Sequence, residues 1–195
     1  MTKDATSQRH GRLQRLHSKQ GAYVSTFVQV AYRHGLVMGI VAIMLVLLST
    51  AEDTLLGYTT ALSSSPERYL LACVVMVVLF VCFGHVRRIG SFPVQGFWIT
   101  YLLYISIVEE LIFRVLLPNM LSFSLHTVAA IVASNAIFAG FHYFTLRWRL
   151  ANCIAVFFGG LGLSRLLNNT EDLALIVLVH WLVTFINTPT YPGGR

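Results

Sequence analysis

Residues 104–118 read YISIVEELIFRVLLP. The run is apolar enough for a bilayer, yet it carries Glu109, Glu110 and Arg114. On insertion scales a charge near the bilayer centre costs about 2.5–3.5 kcal/mol. Three of them, dry and unpaired, would cost roughly 7–10 kcal/mol, as much as the stability of a whole domain. The chain must therefore pair or hydrate them, and this run must face other protein segments. Glu110 and Arg114 are four apart, so on a helix they stack on one face as an ion pair. Glu109 is rotated about 100° from Glu110 and needs a different partner.

Working outward, the same apolar character fills most of the chain. Of 195 residues 56% are hydrophobic and only 11% charged, with a mean hydropathy of +0.69. A water-soluble domain carries about a quarter charged residues. An ordinary cytosolic domain and a disordered chain are excluded. So is a nucleic-acid-binding domain, despite the net charge of +6 and pI near 9.6, because the basic residues form no single patch. Apolar runs of about 17–25 residues cross a bilayer. Six are present, near 35–52, 69–86, 98–121, 125–146, 150–167 and 172–189. The sequence thus predicts an all-α, polytopic membrane bundle of about six transmembrane helices. It forms one domain over 35–195, preceded by a basic segment over 1–34. Cys73, Cys82 and Cys153 lie within apolar runs and read as small buried hydrophobes.

The first 34 residues are polar and basic and hold no signal-peptide core, so the first span is expected to serve as the targeting signal. From Arg9 to His34 the bases Arg12, Arg15 and Lys19 precede Tyr23, Phe27 and Ala31 at helical spacing. This suits either a basic amphipathic helix on anionic lipid or a tail that only fixes topology. With both termini cytoplasmic, eleven Lys and Arg residues fall inside and only Arg68 and Arg165 outside. The positive-inside rule favours that orientation. The expected location is a bacterial inner membrane.

Two later runs also carry polar stripes. Asn135, Phe138 and His142 share one helical face, as do His180, Thr184 and Asn187. The economical arrangement turns these and the Glu109–Arg114 segment toward one shared polar cavity. A single intramembrane His can be merely a packing hydrogen-bond group, and a Glu–Arg pair can be purely structural. Two adjacent glutamates with histidines on two other spans are harder to explain that way. Gly159, Gly160 and Gly162 with Ser164 read as small residues for close helix approach. His10, His17, His34, His85 and His126 lie outside or at the margins of the spans and receive no role.

No serine triad, H-E-x-x-H helix, P-loop or dinucleotide fingerprint is present. A glutamate shielded from bulk water can act as a general base on water attacking a peptide carbonyl. One histidine can share that water and the other can stabilise the oxyanion. Alternatively Glu109, His142 and His180 offer a ligand set for a divalent metal such as zinc. Residue types alone leave both open.

EELIFR at 109–114 and FAGFH at 138–142 match EExxxR and FxxxH motifs, and His180 follows in the last apolar run. In this order they resemble the CPBP family of intramembrane endopeptidases, which includes type II CAAX prenyl endopeptidases and bacteriocin-processing relatives. The resemblance covers about 98–189. It implies a metal-independent glutamate peptidase with no cofactor. Glu109 would be the water-activating base, His142 its assistant, and Glu110 and Arg114 the orienting pair. His180 would belong to the oxyanion site, where the family pattern adds an Asn four residues later. Here Thr184 stands at that position. Asn187 is one turn further along, and Thr184 is the favoured substitute. Losing one such donor typically costs about 10²–10³-fold in rate.

The expected partners are a peptide or protein substrate at the membrane and the lipid bilayer itself, with no nucleic acid. Rival readings are a non-catalytic membrane scaffold retaining the cavity and a proton-coupled transporter. One geometric tension stands out: Glu109 is near mid-span, whereas His142 is only five residues before Arg147. Helix tilt or a cavity open toward the cytoplasm would reconcile them.

Overall fold

Thr26 starts the first helix with a reciprocal capping box, its hydroxyl accepting from the Gln29 amide while the Gln29 side chain accepts from the Thr26 amide. This computed structural model describes residues 26–49, 51–88 and 91–190. The basic stretch with Arg12, Arg15, Lys19 and Tyr23, and the C-terminal Arg195, lie outside the described residues.

Seven helices make up the described chain. They are α1 (Phe27–Leu48), α2 (Glu52–Ser64), α3 (Pro66–Val86), α4 (92–121), α5 (Thr127–Leu146), α6 (Leu150–Thr170) and α7 (Leu173–Asn187). α4 is one continuous rod: Phe92–Glu110, a π-helical turn at Leu111–Leu116, then Leu117–Leu121. Pro118 helps explain that irregularity, because it has no N–H for the carbonyl of Arg114. Helix starts follow local chemistry elsewhere too. Pro66 and Pro93 occupy first-turn positions. Asp172 caps α7 by accepting from the Leu175 amide at 2.9 Å, and its other oxygen accepts from the Tyr69 hydroxyl at 2.5 Å.

The all-helical membrane bundle is as expected, and the spans differ in detail. α1, α3, α5 and α6 have the length and apolarity to cross a membrane. α7 has 15 residues, about 22 Å at 1.5 Å per residue, short of a hydrocarbon core of about 30 Å. α1 begins at Phe27, so residues 27–34 are part of a helix long and apolar enough to cross a membrane. α2 was not anticipated. Its Leu55 and Tyr58 pack against Val115, Leu167 and Ile176 and close one end of the bundle.

The molecule is apolar outside and polar at its centre. Leu70, Leu71, Val74, Val78 and Leu79 of α3 are exposed, as a lipid-facing surface requires. α4 is the axis: Trp98, Ile99 and Leu102 join one apolar cluster, Ile105 to Phe113 a second and Val115 a third. Only one cysteine matches the expectation of burial. Cys153 is buried, Cys73 is half-buried and Cys82 is exposed on α3, because α3 turns most of its surface away from the bundle.

Candidate active site

Glu109 and Glu110 end the regular part of α4, immediately before its π-turn, and both are buried, at 2% and 0% exposure. π-turns inside α-helices recur at functional sites because they re-aim side chains. Arg114 lies within the turn, and its Nε stands 3.1 Å from Glu110 Oε2, both side chains fully buried. The pair expected from the spacing is therefore formed. The Arg114 guanidinium also lies 4.4 Å from the centre of the Phe138 ring, a favourable cation–π placement.

Three histidines from three other helices converge on the glutamates. His142 of α5 places Nε2 3.7 Å from Glu109 Oε1. Its Nδ1 is 3.0 Å from the Phe138 carbonyl. A carbonyl only accepts, so Nδ1 carries the proton and a neutral His142 turns the Nε2 lone pair to the cavity. The ring is held between Phe138 and Trp148, with both ring centres 4.7 Å away. His180 of α7 bridges the two carboxylates, with Nδ1 2.5 Å from Glu110 Oε1 and Nε2 3.6 Å from Glu109 Oε2.

The third histidine is His34 of α1, to which the sequence assigned no role. It is 2% exposed, and its Nε2 is hydrogen-bonded to Glu109 Oε1 at 2.8 Å. The sequence did hold a signal. Val30, His34, Met38 and Ala42 repeat every four residues and are all buried, so the apolar stripe of the first span extends one turn back through the histidine.

A cavity of about 460 Å³ opens beside this cluster, lined by His34, Glu109, His142, His180, Thr184 and Asn187 among others. The polar stripes thus meet, as expected. Asn187 donates to the Val183 carbonyl of its own helix at 2.9 Å. The Thr184 hydroxyl makes no hydrogen bond with the described residues. Asn135 lies to the side, donating to Ser164 Oγ at 3.0 Å and to the Ile131 carbonyl at 2.9 Å.

The glycine cluster divides. A methyl group at Gly160 would collide with the Asn135 amide and approach Arg114, so close packing holds there. Gly159 and Gly162 have open space before them and line the cavity. The alternative metal set of Glu109, His142 and His180 shares two residues with the closest grouping of possible donors among the described residues. The donor atoms that lie within 4.8 Å of one another belong to His34, Glu109 and His142.

Fold and site together define a polytopic helical membrane protein built around a buried carboxylate–histidine centre, an arrangement suited to hydrolysis inside a membrane. Residues 92–186 match the family model described as type II CAAX prenyl endopeptidase Rce1-like. That stretch is just under half of the chain and holds Glu109, Glu110, Arg114, His142, His180 and Thr184, and over it the chain is similar to that family of endopeptidases. No curated protein and no solved structure gave a match.

Proposed function

We propose that the chain hydrolyses a peptide bond of a membrane-associated or lipid-modified peptide, with Glu109 as the base that activates water. The observation that carries this reading is a buried carboxylate at a cavity wall, with His142 Nε2 3.7 Å and His180 Nε2 3.6 Å away. Those gaps exceed direct hydrogen bonds, so the oxygens and ring nitrogens are left to share a reacting water held beside them in the cavity.

In this mechanism Glu109 takes one proton from water, and the His142 Nε2 lone pair accepts from the other O–H. The water oxygen bonds to the carbonyl carbon, and the carbonyl oxygen takes up negative charge beside His180 and the Thr184 hydroxyl. The carbon–nitrogen bond then breaks, and Glu109 returns its proton to the leaving amine. Glu110 and Arg114 act through position: the ion pair fixes α4, and Glu110 fixes His180.

Substrates of this chemistry are a lipid-modified C-terminus, a peptide precursor or a C-terminal anchor. We place the protein in a bacterial inner membrane with both termini cytoplasmic, and the site facing that side. His34 and His142 lie near helix ends that carry Arg33 and Arg147, respectively, and the basic side is cytoplasmic by the positive-inside rule. This also relieves the offset between Glu109 and His142, which meet inside the bundle despite their different depths along their helices.

The test is cleavage of membrane-anchored and prenylated peptides by the purified chain in lipid vesicles. Wild type is expected to cleave, and Glu109→Ala and His142→Ala to fail. Cleavage surviving Glu109→Ala overturns the mechanism. Activity abolished by a chelator and restored by zinc would transfer the water-activating role to a metal.

A further inference from the structure

We propose that His34 of α1 is a positioning residue for the base: it holds Glu109 Oε1 in a fixed hydrogen bond, so α1 completes the catalytic unit. The inference rests on the reading of Glu109 as the base. It adds a residue from outside the 92–186 stretch that carries the family match.

The geometry ranks His34 first among the partners of Glu109. His142 and His180 stand 3.7 and 3.6 Å from its oxygens. His34 Nε2 stands at 2.8 Å, a true hydrogen bond. The far side of the ring is also fixed. His34 Nδ1 is 2.8 Å from Thr145 Oγ1, while the Thr145 hydroxyl donates to the Phe141 carbonyl at 2.6 Å. A threonine hydroxyl has one proton. With that proton committed to Phe141, its oxygen accepts from His34 Nδ1–H. An ionised Glu109 then accepts from His34 Nε2–H, and the ring, donating from both nitrogens as an imidazolium, is a two-ended strut between α5 and α4. Such an oriented, charge-assisted bond is stronger than a neutral one.

The backbone around His34 is built for this contact. His34 and Gly35 lie in a π-helical turn, Ala31–Leu36, the second such turn beside the site. Tyr104 of α4 donates its hydroxyl to the Gly35 carbonyl at 3.0 Å, satisfying an acceptor within the turn. A methyl group at Gly35 would press on the Tyr101 ring at 2.9 Å, so glycine lets α1 approach α4 where the imidazole crosses. A histidine that merely packed would need neither a shared acceptor at each end nor a close approach.

The test uses the full chain in vesicles with whichever peptide the wild type cleaves. Charge-assisted hydrogen bonds correspond to factors of about 10–150, so His34→Ala is expected to lower kcat by about 10–100-fold. KM should stay within about threefold, because the substrate is not touched. His34→Gln keeps an N–H near the position of Nε2 and is expected to recover kcat to within about fivefold of wild type. Thr145→Val removes the acceptor behind the ring and should lower kcat by about 3–10-fold. If His34→Ala does not fold, the Gln and Val variants carry the comparison.

Wild-type kcat in His34→Ala, with Glu109→Ala inactive, overturns this inference and leaves the proposed function standing. Cleavage surviving Glu109→Ala overturns the proposed function itself. A stoichiometric metal in the purified protein that is lost in His34→Ala makes His34 a ligand and overturns the positioning role. Failure of His34→Gln to recover any activity also overturns it, since a fixed donor would then not suffice.

Discussion

α3 and α4 run through the same bundle with opposite surfaces. α3 buries only Phe80 and Gly84 and turns leucines and valines outward. α4 buries Glu109, Glu110 and Arg114 with its apolar residues. A bilayer accepts the first helix on any face. It accepts the second only because α1, α5 and α7 bring histidines to it and Arg114 lies one turn along. Hydropathy along a helix therefore reports the membrane, while the exceptions to it report what the membrane encloses. If this contrast is right, substitutions on α4 should act on chemistry and on internal stability, and those on α3 on insertion.

The largest effect is expected at Glu109. Glu109→Gln keeps the size and a hydrogen-bonding amide but cannot take a proton. Cleavage should fall by about 10²–10⁴-fold, the range general-base catalysis supplies, with thermal stability in detergent nearly unchanged. A kinetic assay beside an unfolding curve checks both halves. A variant that unfolds as it loses activity would make Glu109 a structural residue like its neighbour.

How much of this was legible in the sequence follows from where the signals sit. The three charges at 109–114 and the histidines at 142 and 180 stood out because each breaks an apolar run, and a membrane makes such breaks costly. His34 did not stand out. It follows Arg33, and a basic residue beside it reads as the end of a span. Only the four-residue repeat through Val30 and Met38 places it inside. α2 was hidden for a different reason: none of its residues is buried, so no apolar period marks it. The choice between Gly159 and Gly160 as the packing residue was also beyond reach, because it depends on which neighbour lies opposite.

The next effect concerns Arg114. Removing one partner of a buried ion pair typically costs about 3–5 kcal/mol, because the other charge is left alone. Arg114→Leu is expected to destabilise by about that much. The double variant Glu110→Leu/Arg114→Leu should recover most of the loss while staying inactive, since His180 has lost the carboxylate 2.5 Å from its Nδ1. Urea or thermal unfolding in detergent measures the first claim and peptide cleavage the second. A double variant no more stable than the single one would mean that the pair is worth more to the fold than apolar packing there.

On α3 the prediction inverts. Val75 is 48% exposed near the middle of its helix. Val75→Arg should cost about 2.5–3.5 kcal/mol of insertion free energy and lower the yield of membrane-integrated protein. The molecules that do insert should cleave at wild-type kcat. Normal insertion would show that this face of α3 is not turned to lipid, and the contrast between α3 and α4 would lose half its basis.

The smallest effect separates two adjacent glycines. Alanine in a helix interior is favoured over glycine by about 0.5–1 kcal/mol. Gly159 faces open space, so Gly159→Ala should gain about that much stability. At Gly160 the new methyl meets the Asn135 amide, which hydrogen bonds to Ser164 and Ile131 hold in place. Overpacking of that kind costs about 1–3 kcal/mol, which exceeds the helix gain. Gly160→Ala is therefore expected to be less stable than wild type, while Gly159→Ala is more so. Paired thermal unfolding curves decide it, and equal shifts for both variants would remove the close approach of α6 to α5. Because Gly159 also lines the cavity, its variant carries a second readout. A rise in KM without a change in kcat would locate the bound peptide against α6.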